Sequence, residues 1–156
     1  MRPLIVPTAL LCLLVTACVA TTGLRPANGA WGDAPAVSDS HYILKDAAGF
    51  GLTGQESLDE AAAIIQTQLA APPGERGEGN YREDLNVYSA EIIGLPRGAV
   101  VMTRENLADD SVQSEQDVIE FAIDEETGAA SATAYGIRVK CWPGRGPTNW
   151  TSRLCN

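Results

Sequence analysis

The alternation of apolar and polar residues near the C-terminus constrains the fold more than any other sequence feature. Apolar side chains occupy every second position in two segments, Ile119, Phe121 and Ile123, then Tyr135, Ile137, Val139 and Cys141. Between them, residues 125–128 form a turn sequence that ends in glycine. Alternate residues of a strand face the same way, so the pattern predicts an antiparallel hairpin with one buried face. Centring this hairpin near Glu126 and Thr127 places Arg138 opposite Glu115, an opposite-charge cross-strand pair.

A helix is predicted from Leu58 to about Ala70. Ser57 and Glu60 have the spacing of a capping box, in which each side chain bonds the other residue's backbone N–H. Apolar residues recur at helical spacing and define one buried face: Leu58, Ala61, Ala62, Ile65 and Leu69. Pro72 and Pro73 then end the helix.

Two further strands are predicted between this helix and the C-terminal hairpin. Residues 85–93 are rich in β-forming side chains, although Tyr81, Leu85, Tyr88 and Ile92 also fit a helical stripe. Residues 94–98 contain two glycines and a proline and read as a turn, and residues 99–104 continue as a strand. One helix and four strands give an α+β fold, with the helix packed on a curled four-stranded antiparallel sheet. The element order is similar to that of cystatin-like and NTF2-like rolls.

Two cysteines, Cys141 and Cys155, bracket a C-terminal segment that is rich in proline and glycine. A lone cysteine pair in an exported domain most simply forms a disulfide, here closing a loop at the C-terminus. The alternation also points Cys141 toward the core side. The alternative is a redox-active thiol pair, but the spacing is not that of a CxxC motif.

The N-terminus has the layout of an export signal. A short positive region, with Arg2, precedes an apolar run over residues 4–15 that is too short to span a membrane as a helix. The end of this run and the three residues after it, Val15-Thr16-Ala17-Cys18, resemble the lipobox of bacterial lipoproteins. The resemblance implies that residues 1–17 are a cleaved signal peptide and that Cys18 carries diacylglycerol and often an acylated amino group, which together anchor the protein to a membrane.

Three segments are therefore predicted. They are the signal peptide (residues 1–17), the lipidated N-terminus with a flexible linker (residues 18–40), and a single α+β domain (residues 41–156). Val19 follows the lipidated cysteine, where aspartate favours retention in the inner membrane. The resemblance thus implies the periplasmic face of the outer membrane.

The net charge of −9 excludes some partners and leaves others open. An acidic surface repels phosphate backbones, so nucleic acid is not an expected partner. Adhesion to anionic lipid is also disfavoured, so attachment to the membrane has to be covalent. The charges are unevenly placed, because residues 105–126 hold nine acidic side chains and no basic one, whereas residues 138–153 hold four basic side chains and no acidic one.

The chemistry of these charged segments allows two uses besides solvation. Asp109 and Asp110, with Glu115 or Asp117, are a weak candidate for Ca²⁺, since the spacing is not that of an EF-hand. The carboxylates also allow a paired-carboxylate hydrolase. The favoured interpretation of the acidic segment is a solvated sheet face, so no metal site is predicted. His41 is the only histidine, and the chain contains no GxSxG, Walker or HExxH motif, so no cofactor is predicted either.

The C-terminal loop is the most promising binding surface in the sequence. It contains two tryptophans and two arginines, which are residue types enriched at binding hot spots: Trp142, Arg145, Trp150 and Arg153. Residues 107–112 and 138–141, with a Trp-Thr-x-x-x-Cys ending, resemble a pattern in uncharacterised exported bacterial proteins. We expect a non-enzymatic module that binds an envelope protein or a small ligand. The alternative is a small hydrolase or isomerase with a pocket between helix and sheet.

Overall fold

The computed structural model describes residues 36–37, 40–76 and 80–156. Their elements, in chain order, are β1 (Ile43–Lys45), a 3-10 helix (Ala47–Phe50), α1 (Leu58–Leu69), a second 3-10 helix (Pro73–Glu75), β2 (Arg82–Ile92), β3 (Leu95–Glu105), β4 (Val112–Ile123) and β5 (Ala130–Cys141). The predicted signal peptide, the predicted lipid-bearing Cys18 and most of the predicted linker lie outside the described residues.

All five strands pair antiparallel in one open sheet, in the order β1-β5-β4-β3-β2. The α+β class with one helix is confirmed, but the prediction of four strands was wrong. The additional strand is β1, which pairs with residues 135–137 of β5. A strand of three residues is too short to show an alternation, so the sequence pattern carries no signal for it.

Helix α1 forms where its capping signals place it. The Ser57 side chain accepts a hydrogen bond from the Glu60 N–H at 3.3 Å, and the Ser57 N–H donates to the Glu60 carboxylate at 2.8 Å. The apolar face lies on the sheet, with Leu58 above Gly98 of β3. A Cβ atom at Gly98 would lie 2.6 Å from Leu58 Cδ2, so only glycine admits this approach without a shift of the leucine.

The hairpin of β2 and β3 turns earlier than the sequence suggested. The turn was predicted at residues 94–98, but Ile92 already pairs with Leu95, so the connection is only Ile93 and Gly94. Pro96 therefore lies within β3, one residue before the first β3–β4 pair at Arg97. Proline is tolerated there because it has not yet entered the ladder with β4.

The hairpin of β4 and β5 contains a bulge that the sequence does not signal. Near the turn, Ile123 pairs with Ala130, as the predicted centre requires. The register then shifts by one at Thr133, between the pairs Phe121↔Ala132 and Glu120↔Ala134. Beyond the bulge Arg138 lies opposite Gln116, so the predicted Arg138–Glu115 pair was wrong. The extra residue on β5 moves the later partners by one, until a second shift between Val112 and Ser114 restores the original register.

The sheet face under α1 carries the main apolar core. Its buried members are Phe50, Ala61, Ala62, Ile65, Val100, Ile119, Phe121 and Ala130. These side chains fill the space between helix and sheet. Burial of one such large aliphatic or aromatic side chain contributes about 1.5–3 kcal/mol, so this layer accounts for much of the driving force for folding.

The opposite face of the sheet, called the outer face below, carries a second core. Val37, Tyr42, Val101 and Val118 are buried there together. Val37 is 0% exposed, and its N–H donates a 2.7 Å hydrogen bond to Glu120 Oε1. The composition assigns Val37 to the linker, yet the residue packs as part of the domain. The packed region therefore extends at least to Ala36.

Candidate binding surface

The C-terminal loop (residues 142–154) is attached to the sheet at several points. The predicted disulfide between Cys141 and Cys155 is present, with Cα atoms 5.5 Å apart. Val139 and Thr151 exchange two backbone hydrogen bonds of 2.9 Å, and the Cys141 N–H donates to the Pro147 carbonyl at 2.8 Å. The loop is thus a covalently closed extension of the β5 edge.

The loop beside the disulfide requires glycine at position 146. Gly146 has a φ of +148°, a conformation that L side chains rarely adopt. A Cβ atom there would lie 2.7 Å from Cys141 Sγ. Because Cys141 is fully buried, its sulfur has no room to withdraw. The loop conformation and the disulfide therefore depend on each other.

Trp150 packs onto the outer face of the sheet rather than into solvent. Lys140 Nζ lies 4.4 Å from the centre of its ring, and the Arg138 guanidinium lies 5.2 Å from it. The same guanidinium lies 5.3 Å from the Tyr42 ring, so Arg138 contacts two aromatic rings. Such contacts hold a cation by the negative face of the ring.

Arg138 is further fixed by a short hydrogen-bonded chain. Its Nε donates to Gln116 Oε1 at 2.8 Å, and Gln116 Nε2 donates to Thr103 Oγ1 at 2.8 Å. Burial lowers the pKa of Arg138, although Tyr42 acts in the opposite direction. Arg138 and Trp150 are therefore largely used in holding the loop on the sheet.

Trp142 connects the loop to the turn before β4. Its indole N–H donates to the Asp109 carbonyl at 2.8 Å. The Asp109 carboxylate accepts the N–H groups of Val112 and Ser111 at 2.6 and 2.7 Å, and these bonds lower its pKa. Both tryptophans that were predicted to bind a partner thus make contacts within the domain.

The two arginines of the loop have a different environment. Arg145 and Arg153 are both exposed. Within the described residues neither side chain forms an ion pair, although the Arg145 backbone accepts the Asn156 N–H at 2.8 Å. All four predicted binding residues therefore lie in one loop, where the two tryptophans are half-buried and make contacts within the fold and the two arginines are exposed.

A buried polar cluster under α1 was missed by the sequence analysis as a unit. Asp117 is fully buried, and its carboxylate accepts Arg104 Nη2 at 2.8 Å and the Tyr135 hydroxyl at 2.7 Å. The same Arg104 nitrogen donates to Glu115, and Arg104 Nη1 donates to the Leu69 carbonyl at 3.0 Å. Burial raises the pKa of Asp117, with the Tyr135 and Arg104 contacts opposing that effect.

The bonds of this cluster tie α1 to the sheet. Arg104 joins the carbonyl at the C-terminal end of α1 to two carboxylates of β4. The Asp117 side chain is fully buried. A signal for the cluster was present, since Glu115 and Asp117 share the alternation of Ile119 and Phe121. Acidic residues at core positions indicate a buried cation on a neighbouring strand.

The carboxylates considered for Ca²⁺ do not converge. Asp109 binds its own turn, whereas Asp117 and Glu115 bind Arg104. Over residues 36–37, 40–76 and 80–156, no group of three or more His, Cys, Asp or Glu side chains is placed to hold a metal ion. The carboxylates of the acidic segment thus have separate roles: Asp109 lies in a turn, Glu115 and Asp117 lie in the buried cluster, and Glu120 binds the Val37 N–H on the outer face.

Among the described residues, apolar side chains of the main core pack between helix and sheet, and a groove lies at the edge of the sheet. This shallow groove of about 490 Å³ lies beside the first half of β5, residues 131–135, and is closed on its other side by residues between Lys45 and Gly54. Lys45, Asp46 and Tyr135 are its titratable lining residues, and the Tyr135 hydroxyl is already bonded to Asp117. In the part of the chain that the structure describes, no helix is both long and apolar enough to cross a bilayer.

No protein-family model, curated protein or solved structure matches the chain.

Proposed function

We propose that this protein is a non-enzymatic binding module, anchored by lipid at Cys18 to the periplasmic face of the outer membrane. Its C-terminal loop binds an envelope protein with an acidic surface. The observation that carries the proposal is the pair of exposed arginines, Arg145 and Arg153, on a loop fixed by the Cys141–Cys155 disulfide. A small acidic ligand is the second candidate partner for the same loop.

The loop is suited to binding because its conformation is fixed before a partner binds. Ordering side chains and loops on binding costs about 0.5–1.5 kcal/mol per immobilised side chain. The disulfide, the bonds between Val139 and Thr151, and the packing of Trp150 already order the loop, so a partner has to order only the exposed arginine side chains. Arginine also forms bidentate hydrogen bonds with carboxylates, so the chemistry that matches this loop is an acidic protein surface.

The alternative function is a small hydrolase or isomerase that works in a pocket between helix and sheet. The likeness to cystatin-like and NTF2-like rolls motivates it, because curled sheets of that kind often leave a cavity under the helix. In this chain Phe50, Ile65 and Phe121 fill that space with apolar side chains. The filled layer favours the binding module.

The lipid anchor is supported by the Val15-Thr16-Ala17-Cys18 sequence and by charge. A chain of net charge −9 has little electrostatic attraction to anionic lipid, so stable attachment requires acyl chains. Mass spectrometry of the membrane-fraction protein should show a mature N-terminus at Cys18 with diacylglycerol attached. An unlipidated N-terminus, or a Cys18→Ser variant that stays on the membrane, would remove the anchor.

Binding by the loop is tested by photo-cross-linking in living cells. A photoreactive amino acid replaces Thr148, an exposed loop residue, and adducts are identified by mass spectrometry. We expect one dominant adduct with an envelope protein. The Arg145→Glu/Arg153→Glu variant should lose it, because the charge of both contacts is reversed.

The matched control reverses two arginines on the β2–β3 hairpin. Arg82→Glu/Arg97→Glu changes the net charge by the same amount and should keep the adduct. Equal loss in both variants, or an equal adduct from the same probe at Glu126 in the β4–β5 turn, would mean that the loop is not the binding surface.

A further inference from the structure

The turn between β2 and β3 combines strain with exposure. Its two central residues, Ile93 and Gly94, both have positive φ, 52° and 71°. A two-residue hairpin loop of this kind favours asparagine followed by glycine, because the first residue must adopt the left-handed conformation. A β-branched residue is a genuine outlier there. The fold itself would be better served by a different residue at this position.

The tip is also apolar where the fold does not need it. Ile93 is 75% exposed and Leu95 is 48% exposed. Strain of this kind persists where surrounding structure enforces it, and it concentrates at sites of function. An exposed isoleucine in a conformation suited to asparagine therefore points to an apolar environment outside the domain.

The described chain begins beside this hairpin. Val37 packs at mid-sheet against Val101 and Val118, whereas Ala36 packs on Ala99, nearer the start of β3. The step from Val37 to Ala36 thus runs toward the end of the sheet that carries the turn. Seventeen residues lie between Cys18 and Ala36 in the sequence. That length spans at most about 60 Å even when fully extended.

We propose that the β2–β3 tip, Ile93 with Leu95, inserts into the lipid bilayer that holds the acyl chains of Cys18. This inference rests on the proposed lipid anchor. The anchor keeps the tip at high local concentration near the membrane, so two apolar side chains suffice where they would not hold a free protein. The domain is then oriented with the opposite end of the sheet away from the lipid.

The charges around the tip specify the kind of lipid surface. Asp124, Glu125 and Glu126 form the β4–β5 turn at the same end of the sheet. They repel an anionic surface, so a zwitterionic phospholipid interface fits the tip better. Insertion should therefore be shallower in vesicles of phosphatidylglycerol than in vesicles of phosphatidylcholine.

The test measures the depth of a spin label at the tip in the mature lipidated protein. Cys18 is modified and Cys141 and Cys155 are paired, so Ile93→Cys introduces the one free thiol of the mature chain. In phosphatidylcholine vesicles we expect the label to be accessible to oxygen and several-fold less accessible to a water-soluble nickel complex than a label at Asp110→Cys. Asp110 is exposed in the loop between β3 and β4, at the other end of the sheet.

A second experiment removes the apolar tip without harming the fold. With the label at Leu95→Cys, adding Ile93→Asn should move the label into water, and the thermal midpoint should stay equal or rise because asparagine accepts the turn conformation. The matched control is Leu154→Asn, which removes an apolar residue that is 79% exposed on the C-terminal loop. It should leave the label in the bilayer.

The outcomes separate this inference from the proposed anchor. If the protein floats with vesicles but the label at residue 93 is in water, the insertion is wrong and the anchor stands. A label shielded from both oxygen and nickel indicates a protein contact and also overturns the insertion. If the protein does not float with vesicles, the anchor is wrong and the insertion is overturned with it.

Discussion

The two faces of the sheet are covered in different ways. The inner face lies under α1, one regular amphipathic helix whose cap, face and end are all local in sequence. The outer face lies under separate pieces, namely Ala36 with Val37, Tyr42, and Trp150 of the C-terminal loop. One bond of this outer cover, from the Val37 N–H to Glu120, joins residues 83 positions apart. The outer cover therefore depends on contacts that only the complete fold supplies.

The faces also differ in how they accommodate a buried cation. On the inner face Arg104 is neutralised by the carboxylates of Asp117 and Glu115. On the outer face Arg138 rests between the rings of Tyr42 and Trp150 and bonds a neutral amide. A buried ion pair is costly to break on one side, whereas a cation on an aromatic surface retains partial access to water. We therefore expect changes on the inner face to have the larger effects.

The largest effect should come from Asp117→Ala. It leaves Arg104 buried against the end of α1 without its main counter-ion, which typically costs about 3–5 kcal/mol of unfolding free energy. Denaturant unfolding measures this loss. Replacing the pair together, as Arg104→Met/Asp117→Leu, should restore part of the stability, because Arg104 is no longer buried without Asp117. The recovery is incomplete because Glu115 loses its bond to Arg104 and the Tyr135 hydroxyl loses its acceptor.

The control for this prediction is an exposed ion pair. Arg82 and Asp84 lie 2.7 Å apart, but their side chains are 67% and 42% exposed. Asp84→Ala should therefore cost less than about 1 kcal/mol. If Asp117→Ala were equally mild, the polar cluster would not be a support of the inner face, and the contrast between the faces would fail.

The next largest effect should follow removal of the disulfide. Cys141→Ala/Cys155→Ala releases a loop of 14 residues in sequence separation. The chain-entropy model gives a loss of roughly 3 kcal/mol for a loop of about this size. Hydrogen exchange should locate the change, because the Val139 and Thr151 amides should lose protection while α1 stays protected up to global unfolding. Uniform loss of protection would show that the two faces are one cooperative unit.

A pair of glycine substitutions compares the faces directly. A Cβ atom at Gly136 would lie 2.8 Å from Tyr42 Cβ and 2.9 Å from Val37 Cγ1, atoms close to their backbones. At Gly98 the obstacle is the mobile end of Leu58. Gly136→Ala should thus cost about 1–3 kcal/mol by overpacking, and Gly98→Ala should cost less. Thermal and denaturant unfolding measure both. The reverse order would mean that the outer cover yields more readily than the helix.

The same contrast explains what could be predicted from the sequence. Helix α1 was predictable because a capping box and a 3.6-residue periodicity are local signals, and the β4–β5 hairpin was predictable from its period of two. The shift at Thr133 was not, because a bulge changes the partners of later residues without changing the alternation itself. The three residues of β1 have too little pattern to be recognised.

The residues of the candidate site were predictable from the sequence, but their contacts with the sheet were not. The Cys141–Cys155 disulfide was predicted correctly, because a lone cysteine pair stands out in a short loop. The four residues proposed for binding were chosen because tryptophan and arginine stand out there in the same way. The sequence could not show that Trp150 would cover Arg138, since that contact depends on the register of β5 and the path of the loop. It also could not show that Val37 would pack on Gly136, far along the chain.

The smallest effect should be the coupling between Arg138 and Trp150. In a double-mutant cycle with Arg138→Gln and Trp150→Leu, we expect a coupling energy of about 0.5–1 kcal/mol, the usual range for a partly exposed cation–π contact. Trp142 is the matched aromatic control, since its indole bonds the Asp109 carbonyl instead. A cycle of Arg138→Gln with Trp142→Leu should show no coupling. Equal coupling in both cycles would mean that the loop responds as a whole, and that Trp150 has no specific role in holding it on the outer face.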